Sequence, residues 1–282
     1  MITCDLRGGL GNQLFQIFTT ISYAIKSKKE YQFLHSKTLG GNGCTLRYTF
    51  WDTIFQKLHP VLIEKLPEQM VILKENGFPF REFHVSSFQA KNVCLYGYFQ
   101  SYKYFQEFFS LIYKILEITK QKRLVLEKSG LKCEDLEKTI SMHFRIGDYK
   151  KVNYFHPIMT SEYYINALDK IKKKYSEEKF QIMYFCEDED LDEVLQTIQL
   201  CESKFQDYRF LRAPNRLVDW EQMLLMSLCR HNIIANSSFS WWGAYFNTKP
   251  EKIVCYPVMW FTPNANIDTH DLCPPEWKKI IF

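Results

Sequence analysis

The chain has 282 residues and a net charge of +4, with 46% of its residues hydrophobic and 24% charged. That length fits one large or two small domains with a substantial core. A charge balance this mild, without an aromatic-basic motif or a recognition-helix pattern, excludes nucleic acid as a partner. Nine cysteines without a Cys-x-x-Cys pair exclude that zinc signature and read as buried free thiols of a reducing compartment.

In chain order, Ile2 to Leu6 reads as a strand, followed by the turn Arg7-Gly8-Gly9-Leu10-Gly11-Asn12-Gln13. A helix follows, with Leu14, Ile17, Phe18, Ile21 and Ala24 at the spacing of one buried face. Asn12 is placed to cap it. A glycine-rich turn feeding a helix N-terminus is a natural anion site, because free backbone N–H groups converge there. It is no dinucleotide fingerprint, since Leu14 stands where the third glycine would fall. A tight strand-to-helix turn without a ligand accounts for the same residues. Gly40-Gly41-Asn42-Gly43 is expected as a loop, Cys94 to Tyr98 as a strand, and Tyr102 to about Glu127 as one or two helices. The charged stretch around Gly130 marks a crossover between two halves, residues 1–135 and 136–282.

From Thr139 the pattern is regular. Strands are expected over Thr139 to Phe144, Gln181 to Phe185, Tyr208 to Leu211, Asn232 to Ala235 and Lys252 to Tyr256. Helices are expected over Thr160 to Lys174, Asp190 to Leu200 and Asp219 to Arg230. Such alternation predicts an α/β fold with a parallel sheet covered on both faces. The basic run Lys170 to Lys174 reads as a solvated helix face, with peripheral attraction to an anionic membrane as the second reading. Trp277 to Phe282 is expected to form a last helix that packs back on the body.

Two strand ends carry chemistry. The first strand of the regular half runs into His143, Arg145 and Asp148, and ligands of open α/β sheets sit beyond such carboxyl ends. Arg145 offers a planar fork suited to phosphate oxygens. An Arg-Asp ion pair that only ties a loop down is the alternative. The second is Asn236-Ser237-Ser238-Phe239-Ser240-Trp241-Trp242. Ser237 and Ser238 can cap a helix and can equally donate to a phosphate. Phe239, Trp241 and Trp242 suit either a stacked base or the core.

Together these segments resemble the α-1,2-fucosyltransferase family, glycosyltransferase family 11. The resemblance rests on Gly8-Gly9-Leu10-Gly11-Asn12-Gln13-Leu14-Phe15-Gln16, on Gly97-Tyr98-Phe99-Gln100-Ser101, on His143 to Tyr149 and on Asn236 to Ala244, in that order. Phe185-Cys186-Glu187-Asp188 departs from the usual Phe-Ser-Asp-Asp. The resemblance implies a GT-B-like fold, two Rossmann-like domains facing a cleft, with residues 1–135 on the acceptor side and residues 136–282 holding the donor. It implies inverting transfer of L-fucose from GDP-β-L-fucose to a hydroxyl of a glycan acceptor, with the 2-hydroxyl of a terminal galactose as the expected position. It also implies catalytic roles for Arg145, Asp148 and His143, and donor contacts from Gly9, Gly11, Asn12, Gln13, Asp188, Asn236, Ser237, Ser238 and Phe239. Arg145 would bind the β-phosphate, and Asp148 would either orient Arg145 or accept the acceptor proton. His156, His231 and His270 lie outside the matched elements and are read as structural or surface residues. Glu187-Asp188-Glu189-Asp190 has the spacing of an Asp-x-Asp metal motif. Its place at a strand-to-helix junction suits acids at a positive helix end, and the resemblance implies neither metal nor other cofactor. No segment reads as a signal peptide or membrane anchor, so the soluble bacterial-type members and a cytoplasmic location are expected. Another nucleotide-linked deoxysugar, a different linkage, or a non-catalytic glycan-binding relative are the rival readings.

Overall fold

The computed structural model describes residues 1–40 and 46–282, which fall into two compact units. The first comprises Met1–Gln121 with Asp268–Pro274, and the second Lys122–Ile267 with Pro275–Phe282. The division therefore falls at residue 121, inside a helix, and not at 135. Of the expected loop Gly40 to Gly43, residues 41–43 lie outside the described residues.

In the first unit, β1 (Ile2–Cys4) leads into α1 (Leu10–Lys26). The five apolar positions read from the sequence are all fully buried. Two small pairings follow, β2 (Phe33–Leu34) with β5 (Leu62–Ile63) and β3 (Thr38–Leu39) with β4 (Arg47–Tyr48). β6 (Val71–Lys74) and β7 (Val93–Tyr96) complete a three-stranded parallel sheet of order β1-β7-β6. The helical stretch is broken into α2 (Phe109–Ile115) and α3 (Ile118–Ser129), with Glu117 at φ +51° between them.

The second unit opens within α3 and continues with the short α4 (Cys133–Leu136) and a six-stranded sheet. Its strands are β8 (Thr139–His143), β9 (Gln181–Phe185), β10 (Arg209–Arg212), β11 (His231–Ile233), β12 (Val254–Pro257) and β13 (Lys278–Ile280). The helices are α5 (Ser161–Lys174), α6 (Leu191–Lys204), α7 (Asp219–Met226) and α8 (Ser238–Tyr245). Every strand pairing is parallel. The spatial order β10-β9-β8-β11-β12-β13 is the doubly wound order 3-2-1-4-5-6. The expected terminal helix is corrected: Lys278–Ile280 is an edge strand on β12. Ile280 is buried there while Lys278 and Lys279 are exposed, so a short strand buries the one apolar residue that a helix turn would leave alone.

Side chains alternate between the two faces of β8. Ile140 and Met142 join the core under α5 and α6, with Tyr163, Leu168, Val194 and Ile198. Ser141 and His143 take the other face. There Asn232 of β11 donates to Ser141 Oγ at 2.7 Å and to the Met226 carbonyl at 2.8 Å, and Asn247 donates to Asn232 Oδ1 at 2.8 Å. These buried amides lace β8, β11, the end of α7 and the residues after α8 into one network. Cys4, Cys94, Cys201, Cys229 and Cys255 are buried free thiols.

Candidate active site

The strand order reverses between β8 and β11, since β9 and β10 lie to one side of the pair and β12 and β13 to the other. In open sheets this switch point is where a crevice opens beyond the strand carboxyl ends. Both motifs of the second unit leave the sheet there: His143 ends β8, and β11 ends just before Asn236.

From β8 the chain turns through Arg145 into the 3-10 turn Gly147–Lys151. Gly147 has φ +21°, and a Cβ at that position would lie 2.9 Å from Glu187 Oε2. Its N–H donates to Asp190 Oδ2 at 2.7 Å, so glycine lets the turn close against the end of β9. Arg145 donates to Glu187 Oε1 at 2.5 Å and to Asp148 Oδ1 at 2.6 Å. Both carboxylates are about half exposed. Exposed pairs of this kind contribute roughly 0–1 kcal/mol, so a phosphate can take over a prong of the fork at little cost.

His143 is buried, with its ring 5.5 Å from that of Phe239 and its Nδ1 without a hydrogen-bond partner. Burial, and then the Arg145 charge, push its pKa down to about 3. It is a neutral hydrogen-bonding group, not a cation. Beyond β11, Asn236 is tied down by donation to the carbonyls of Pro157 at 2.9 Å and Trp260 at 3.1 Å. Ser237 is the N-cap of α8 and its Oγ accepts from Phe239 N–H at 3.3 Å. Ser238 and Phe239 are partly exposed. Trp241 and Trp242 are fully buried and belong to the core.

Three acids of the run have separate basic partners, and Asp190 is buried. Glu187 faces Arg145, Asp188 pairs with Arg212, and Asp190 lies 3.4 Å from Lys150. Among the described residues no three His, Cys, Asp or Glu groups come together as metal ligands. Burial pushes the Cys186 thiol up.

Gly9, Gly11, Asn12 and Gln13 belong to the first unit. Asn12 is not the cap of α1, because the helix begins at Leu10 with Gly9 as N-cap. Gly8, at φ +77°, turns the chain early, and a Cβ there would collide with the Asn12 side chain. Asn12 instead accepts from Gln100 Nε2 at 2.7 Å. Gln13 is buried and donates to the Gly8 and Tyr48 carbonyls, holding the turn.

The sequence left two neighbours of Arg145 without a role. The Tyr149 ring lies 5.3 Å from the guanidinium, and His156 stacks on Tyr149 at 4.6 Å. These two rings stack beside one arginine only in three dimensions. The signal available in sequence was a Phe155-His156-Pro157 run of no regular period. His231 is fully buried and its Nδ1 accepts from Ile253 N–H at 3.0 Å.

The chain is 25% identical over 300 residues to an alpha-1,2-colitosyltransferase of Escherichia coli, covering 99% of both chains. It is 29% identical to the O-antigen biosynthesis glycosyltransferase WbnK of Escherichia coli, covering 94% of this chain and 96% of that one. A galactoside 2-alpha-L-fucosyltransferase of Caenorhabditis elegans is 25% identical, covering 99% of this chain and 79% of its own. The family model for glycosyl transferase family 11 matches residues 62–280. That match spans both units and both strand-end motifs, and the chain belongs to glycosyl transferase family 11.

Proposed function

We propose that the chain is an inverting glycosyltransferase that moves L-fucose from GDP-β-L-fucose to the 2-hydroxyl of a terminal galactose. The observation that carries this reading is that the Arg145 turn and the start of α8 leave adjacent strands at the switch point of one parallel sheet, joined by the His143–Phe239 ring contact and the Tyr149 donation to the Asn236 carbonyl. Leaving-group departure puts negative charge on the diphosphate. A guanidinium fork and free helix N–H groups are the donors that stabilise such charge. Arg145 would take the β-phosphate, Ser238 and the first amides of α8 the neighbouring oxygens, and Phe239 the guanine-ribose side. Neutral His143 would hydrogen-bond the sugar or ribose, and Asp188, exposed beside Arg212, would meet the nucleoside.

The colitosyltransferase relative and the Cys186-Glu187 departure favour a second reading, a different GDP-linked deoxysugar in the same site. A ligand that binds the native state stabilises it by about 2.7 kcal/mol at a concentration of 100 times Kd. Melting the protein with GDP, GDP-fucose, GDP-colitose and UDP-galactose tests both readings. A shift with GDP that is larger with GDP-fucose than with GDP-colitose supports the first, a larger shift with GDP-colitose the second, and a shift only with UDP-galactose refutes both.

Asp148 holds one prong of Arg145, which favours an orienting role over that of the base. Asp148→Asn is then expected to weaken GDP binding and transfer together, by about threefold each, the scale of a half-exposed ion pair. Unchanged GDP affinity with transfer abolished identifies Asp148 as the base instead.

Activity is expected to survive chelation, because Arg145 and the α8 amides supply the charge that a divalent ion would otherwise bring. Activity lost in EDTA and restored by manganese or magnesium would show that Glu187, Asp188 and Asp190 converge on a metal.

A further inference from the structure

We propose that His156 is a positioning residue for Arg145, acting through the ring of Tyr149. Arg145 spends its fork on two half-exposed carboxylates, Glu187 and Asp148, which a diphosphate would displace, and its remaining side-chain partner is Tyr149. The guanidinium carbon lies over the Tyr149 ring, 5.3 Å from its centre. The Tyr149 hydroxyl donates to the Asn236 carbonyl at 2.9 Å, so the ring spans from the Arg145 turn to the Ser237 helix start. The imidazole of His156 lies 4.6 Å from Tyr149, with the two planes only 16° apart.

His156 is itself held from three sides. Its ring meets Phe155 at 4.9 Å and Phe261 at 5.1 Å. The Asn236 amide donates to the next carbonyl, Pro157, and Thr262 N–H donates to Phe155 O at 3.0 Å. The Nδ1 atom of His156 is buried without a partner. Hydrogen bonding at that atom therefore does not explain the residue; a flat, neutral ring does. Burial lowers its pKa, with the Asp148 and Arg145 charges acting in opposite senses. The neutral form avoids placing a second cation beside Arg145. A bidentate contact to phosphate depends on the plane of the guanidinium, and small misplacements at such a site are costly. A stack running His156, Tyr149, Arg145 would set that plane before the donor arrives.

The proposal rests on Arg145 as the diphosphate ligand, and its test separates the two ideas. GDP affinity by calorimetry, donor and acceptor KM, kcat and melting temperature are measured for His156→Ala, His156→Phe, His156→Gln and Arg145→Ala. His156→Ala is expected to weaken GDP binding about tenfold, the upper end for an aromatic pair, and to raise donor KM while acceptor KM stays put. His156→Phe keeps the stack and is expected to restore affinity, whereas His156→Gln is not. Wild-type GDP affinity in folded His156→Ala overturns the proposal, as does rescue by Gln but not Phe. The Phe and Gln arms decide the matter if the Ala variant does not fold. Wild-type GDP affinity in Arg145→Ala brings down the donor-site reading and this proposal with it; wild-type affinity in His156→Ala alone brings down only the proposal.

Discussion

Replacing Arg145 with lysine is expected to lower turnover nearly as far as replacing it with alanine, by roughly 10²–10³, the scale for removing one preorganised donor to developing charge. Lysine keeps the charge, so a purely electrostatic role would be largely rescued. The structure argues otherwise. The guanidinium reaches Glu187 with one prong and Asp148 with the other, at 2.5 and 2.6 Å, and lies near the Tyr149 ring. An ammonium offers one point of charge and no plane to stack. It would collapse onto one carboxylate, and the other would lose its partner. Steady-state kinetics with the donor, on proteins with unchanged melting temperatures, provide the measurement. Lysine within a few-fold of wild type would mean that charge alone matters and that the fork geometry is incidental.

The largest stability effect is expected at Asn232, far from the ligand but beneath the same two strand ends. Its amide donates to Ser141 Oγ and the Met226 carbonyl, and its oxygen accepts from Asn247. All of these groups are buried. Asn232→Ala removes one buried hydrogen bond from each of three groups, although the Met226 carbonyl and Asn247 keep their bonds to the Cys229 N–H and carbonyl. Each lost buried bond costs about 1 kcal/mol and the hole adds to it, so a loss of about 2–4 kcal/mol in urea unfolding is expected. Asn232→Asp should be similarly poor, since the carboxylate cannot donate to Ser141 or Met226. A loss below about 1 kcal/mol in the alanine variant would show that water or a side-chain shift replaces the network. Because β8 and β11 carry the two motifs, partial loss of this network is also expected to lower GDP affinity in the folded fraction.

Much of the second unit was legible in the sequence because its strands are short apolar runs between amphipathic helices, the arrangement that periodicity reports best. Gln181–Phe185 is bounded as read, and Thr160 is the N-cap of α5. The helix read as Asp219 to Arg230 stops at Met226, because tertiary hydrogen bonds take over: Arg230 N–H donates to the carbonyls of Leu136 and Thr139. The terminal strand was misread as a helix since three alternating residues carry too little pattern to fix a period. Asn12 was misplaced as a cap because the left-handed backbone at Gly8, which starts α1 three residues early, leaves no mark that distinguishes it from Gly9 or Gly11. Arg145, Asp148 and the serines are singled out by their motifs. Tyr149 and His156 acquire meaning only from ring planes, which no spacing rule encodes.

Asp268–Pro274 belongs to the first unit although the residues on both sides of it belong to the second. Within the first unit this segment is built in: Asp271 is buried, pairs with Lys103 and accepts from Phe80 N–H at 3.2 Å, and its carbonyl accepts from Ser101 at 2.7 Å. Neither unit is thus one continuous stretch of chain. Halves exchanged between two relatives by a single crossover near residue 121 would inherit a mismatched plug, with Lys103 and Ser101 from one parent facing position 271 from the other. A working chimera needs a second and third junction, around residues 267 and 274, and a fragment ending at residue 121 would be expressed without its own Asp271.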